Sequence, residues 1–65
     1  MSNALVLKYV DQFRQAVAAG GYDYTEAAVR GFFDGGWDNA FEKDCRDSGI
    51  EPEALVNAVV AKIVG

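Results

Sequence analysis

Apolar residues recur at intervals of three and four through three stretches of the chain. Leu5, Val6, Tyr9, Val10, Phe13, Ala16 and Val17 share one face of a helix over about residues 3–19. Ser2 or Asn3 offers a side-chain acceptor for its first turn, and Gly20-Gly21 ends it, because glycine takes the left-handed conformation that closes a helix. In the middle stretch Val29, Phe32, Phe33, Gly36, Trp37, Ala40 and Phe41 stay on one face. Glu26, Arg30, Asp34, Asp38, Glu42 and Arg46 follow one another at intervals of four on the opposite face. Both registers pass through Gly35-Gly36, so the pattern predicts one long helix over about 24–47. Asp23 and Glu26 resemble a capping box at its start. Each mid-helix glycine costs about 1 kcal/mol relative to alanine, which keeps two shorter helices broken at Gly35-Gly36 as the alternative.

The third stretch opens at Pro52, whose missing amide suits a first helical position. With Glu51 as cap, Ile50 and Leu55 stand where a hydrophobic staple places them. Leu55, Val56, Val59, Val60 and Ile63 form the apolar face of a helix over 52–64. No alternating run or hairpin signal reads as a strand. The expectation is a single all-α domain, a small three-helix bundle with a long middle helix, or four short helices if the glycines break it.

Composition narrows the chemistry. The 65 residues are 51% hydrophobic and 25% charged, with no His and one Cys. A chain this short buries only about 60% of the surface its unfolded form exposes. One cysteine and no histidine exclude a disulfide framework within the chain and a self-contained zinc site of the Cys/His type. Nucleophilic catalysis by Cys45, Ser2, Thr25 or Ser48 has no histidine base to draw on. Cys45 is in register with Phe41 and reads as a small core residue. Asp34-Gly35-Gly36-Trp37-Asp38-Asn39 begins like a calcium loop but has Gly36 for the third-position acid and Cys45 for the closing glutamate. Asp47-Ser48-Gly49 resembles the attachment site of acyl carrier proteins, with glycine where those have leucine. The expectation is a protein that is not an enzyme and uses no cofactor or metal. The apolar runs fall short of the roughly 20 residues of a membrane span, and the start has no basic signal region, so a cytoplasmic location is expected.

Charge is unevenly distributed. The overall net charge is −4, yet residues 34–53 hold seven acids and two bases, a local net of −5. A negative balance disfavours direct nucleic-acid binding, which Lys and Arg drive by displacing counterions. Asp34, Asp38 and Glu42, flanked by Asp44 and Asp47, either form a solvated face or meet a basic surface on another protein. Trp37, between the acidic and apolar faces, is either a partner anchor or part of the core. A second surface is the C-terminal helix, apolar nearly all round. Leu55, Val56, Val59, Val60 and Ile63 are the candidate seam of a homodimer.

The run Arg30-Gly31-Phe32-Phe33-Asp34-Gly35-Gly36-Trp37-Asp38-Asn39-Ala40 resembles the glycine, aromatic and acid helices of short bacteriophage and mobile-element proteins. That resemblance implies an accessory protein that binds and blocks a host factor, and it assigns no site residue. The resulting expectation is an acidic interaction module, most concretely an inhibitor that binds a basic surface of a nucleic-acid-handling protein. The alternative is a structural or regulatory homodimer.

Overall fold

The computed structural model describes residues 3–36 and 39–65, and the side chains of all of these except 3, 35, 36 and 39. Four helices follow one another: α1 (Asn3–Ala18), α2 (Glu26–Gly36), α3 (Asn39–Ser48) and α4 (Pro52–Val64). The long middle helix is thus replaced by two. Phe33 and Phe41 show how far the chain departs from a straight helix. Eight residues of α-helix separate two Cα atoms by about 12 Å along the axis. Yet the two rings lie with centroids 5.2 Å apart, and each also packs on Tyr9 of α1. Gly35 and Gly36, both of low helix propensity, are the last residues of α2.

Local chemistry explains the other boundaries. At the end of α1, Gly20 has φ +91°, its N–H donates to the carbonyl of Val17, and the N–H of Gly21 donates to that of Ala16. This is a Schellman closure. The end of α3 repeats it: Gly49 has φ +67°, its N–H reaches the Arg46 carbonyl, and the Ile50 N–H reaches that of Cys45. Ile50 then packs against the core, as the apolar residue after such a turn commonly does. The start of α2 departs from the expected capping box. Thr25 is the cap, its Oγ1 accepting from the Ala28 N–H at 3.1 Å, and the helix begins at Glu26, not at 24. Glu51 precedes α4 in an extended conformation with Pro52 at the first helical position, as expected.

The core holds Val6, Tyr9, Val10 and Phe13 of α1, Val29 and Phe33 of α2, Phe41 and Cys45 of α3, and Leu55, Val56 and Val59 of α4. Aromatic rings pack in a chain across the core, Phe13 with Phe32 and Phe32 with Phe33 edge to face, and Phe13 with Tyr22 and Phe33 with Tyr9 tilted. Such pairs contribute about 0.5–1.5 kcal/mol each beyond the area they bury. α4 packs against all three other helices. Its nearly continuous apolar surface therefore has an internal use, since a helix with neighbours on several sides buries more than one stripe. α2 and α4 run antiparallel: Arg30 meets Asn57, and Asp34, one turn later, shares a groove with Glu53, one turn earlier.

Candidate functional site

The acidic residues of the middle segment fall into three groups. Asp44 turns inward. Its Oδ2 accepts from Lys8 Nζ and from the hydroxyl of the buried Tyr9, both at 2.7 Å, and its side chain is 28% exposed. Lys8 also lies over the Tyr9 ring, 5.4 Å from its centroid. Hydrogen bonds from Lys8 and Tyr9 hold the Asp44 carboxyl below its usual range, outweighing a small opposing effect of desolvation. Asp44 ties α3 to α1 and is not the free partner-facing acid expected of it.

Asp47 and Glu42 are exposed on α3. Asp47 Oδ2 lies 3.6 Å from Lys43 Nζ, a solvent-screened pair of the kind that contributes little to stability. Asp38 and Trp37, both expected to contact a partner, lie outside the described residues.

Asp34 forms the third group, together with a residue that the chain pattern did not single out. Arg30, Asp34, Glu53 and Val56 line a groove of about 280 Å³ between α2 and α4. Arg30 is held at its edge, with Nε donating to Glu26 at 3.0 Å and a terminal nitrogen donating to Asn57 Oδ1 at 2.8 Å. Glu26 and Arg30, one turn apart, thus form an ion pair, while Asp34, one turn further on, has none among the described residues. Glu53 likewise has none. Two exposed, unpaired carboxylates thus border a groove lined at its base by the buried Val56. The pairing was not legible from spacing along one helix because the two acids come from different helices, 19 positions apart.

A second groove, about 360 Å³, lies at the α3–α4 turn against Cys45, Arg46, Gly49, Ile50, Glu51 and Pro52. The Cys45 thiol is buried, and burial, followed by the nearby carboxylates of Asp44 and Glu42, pushes its pKa up. It is kept protonated, the opposite of what a nucleophile needs. Among the described residues no cluster of three or more His, Cys, Asp or Glu side chains is arranged to hold a metal ion.

The dimer-seam residues divide in a way that changes their meaning. Leu55, Val56 and Val59 are buried within the chain's own core, on the helix that packs against the other three. Val60 and Ile63 are half-buried, and Val64 is 51% exposed. No helix among the described residues is long and apolar enough to cross a membrane. Comparison of the chain with protein-family models, curated proteins and solved structures finds no match to any of the three.

Proposed function

We propose that this protein is a small non-enzymatic interaction module that binds a basic surface on another protein through the acidic side formed by α2, α3 and the start of α4. The most concrete version is an inhibitor that occupies the basic surface of a nucleic-acid-handling protein, as accessory proteins of phage and mobile elements do. One observation carries the reading: Asp34 and Glu53 stand exposed beside one groove, and neither has an ion pair among the described residues. Glu42 and Asp47 are further exposed acids, on α3. Complementary charge of this kind speeds encounter and selects partners.

The test uses a ten-residue arginine peptide as a stand-in for the basic surface. The intact protein is titrated with it at low and at high salt. Binding that weakens with salt, and weakens again in the Glu42→Lys/Asp47→Lys variant, supports the reading. An affinity indifferent to both salt and charge reversal would sink it. A homodimer is the competing reading, favoured only by the exposure of Val64 beside the half-buried Val60 and Ile63. A sedimentation mass equal to one chain at high concentration would remove it.

A further inference from the structure

We propose that the groove between α2 and α4 is the seat of one arginine side chain presented by the partner, its methylenes on Val56 and its guanidinium between Asp34 and Glu53. This inference deepens the interaction reading and rests on it. Three observations converge. The groove has an apolar base in Val56, which is 5% exposed, and carboxylates at its border on two helices, so it offers both surfaces that an arginine presents. The resident cation is already committed: Arg30 donates to Glu26 and Asn57, and Asp34 and Glu53 have no ion pair among the described residues. The four charged groups Glu26, Arg30, Asp34 and Glu53 sum to −2 in formal charge, which an incoming cation reduces to −1.

Size and geometry set the occupant. At about 280 Å³ the groove lies just under the roughly 300–1,000 Å³ of small-molecule sites, a size that suits a single side chain. Arginine fits better than lysine, because a planar guanidinium has five donors and can serve two carboxylates from separate edges. Lysine presents a single compact charge that is more strongly hydrated.

The experiment follows backbone amide resonances of the intact protein during titration with acetyl-arginine-methylamide, and with the citrulline analogue, which keeps the shape but lacks the charge. Saturable shifts centred on Arg30, Asp34, Glu53 and Val56 are expected with arginine and absent with citrulline. The Asp34→Asn/Glu53→Gln variant, whose spectrum also reports whether it remains folded, should weaken binding by about tenfold, the equivalent of about 1.4 kcal/mol. Equal shifts with citrulline, or an affinity unchanged in the double variant, would overturn the groove assignment. The arginine peptide separates the two levels. If it binds in a salt-sensitive way while the groove amides stay still, the groove inference fails and the interaction reading stands. If it does not bind even at low salt, both fail.

Discussion

Asp44 and Asp34 belong to the same acidic segment, and the chain uses them in opposite ways. Asp44 faces two donors from α1, Lys8 and the hydroxyl of a buried tyrosine, and its charge is consumed in holding α3 against α1. Asp34 lies exposed near the end of α2, lining a groove with Glu53 and without an ion pair among the described residues. Since α2 has no basic residue in its last turn, the carboxylate also stands at the negative end of the helix dipole. One acid closes the fold. The other makes no ion pair that holds helices together among the described residues. The comparison teaches that local charge density is a poor guide to a binding face until internal partners have been subtracted.

Four changes break or sharpen this contrast. The largest effect is expected from Phe33→Ala, because Phe33 joins the Asp44 side, through Tyr9 and Phe41, to the groove helix α2. Losing a buried phenylalanine costs about 3–5 kcal/mol. That matches the roughly 3–5 kcal/mol a core of this size supplies, so urea unfolding should find the variant largely unfolded at 25 °C. Tyr9→Phe should cost about 1 kcal/mol by the same measurement, the net worth of one hydrogen bond, while leaving affinity for the arginine peptide unchanged. An undiminished stability would mean that the α1–α3 tie is idle.

A smaller effect follows from pH. The folded-state pKa of Asp44 is lowered from its ordinary 3.8, so the folded state favours the carboxylate. Its contribution to stability is complete above the unfolded value and is lost as pH falls through the lower folded one. Wild type and Asp44→Asn should therefore differ in urea midpoint at neutral pH and converge in strong acid. The smallest stability change belongs to Asp34→Asn, within about 0.5 kcal/mol as for an ordinary surface substitution. Its effect should appear in binding instead.

Much of the architecture was legible in the chain. Gly20 and Gly49 marked helix ends because positive φ is required there, and Pro52 marked the start of α4. Of the two readings of the middle stretch, the four-helix one with the chain divided near Gly35-Gly36 holds, and the continuous helix fails for a physical reason. Two amphipathic helices that pack on the same core each need an apolar and a polar face, so a preserved register is no evidence of one continuous helix. The glycine pair was the better signal. Thr25 replaced Asp23 as the cap because both residue types can accept from a first-turn amide, and composition does not choose between them. The apolar excess of α4 was visible, but its use depends on position: it touches every other helix, which sends Leu55, Val56 and Val59 inward. The candidate site was legible only by half. Asp34 stood out within the acid series, whereas its neighbour Glu53, like the link from Asp44 to Lys8, depends on tertiary contacts between distant positions.

The most direct measurement compares two variants side by side, Asp34→Asn/Glu53→Gln and Asp44→Asn, each assayed for urea midpoint and for affinity toward the arginine peptide at low salt. The account predicts that the first keeps its midpoint and loses affinity, and that the second loses stability and, under folding conditions, binds as wild type does. If the groove variant bound normally while Asp44→Asn did not, the division of labour between the two acids would be contradicted.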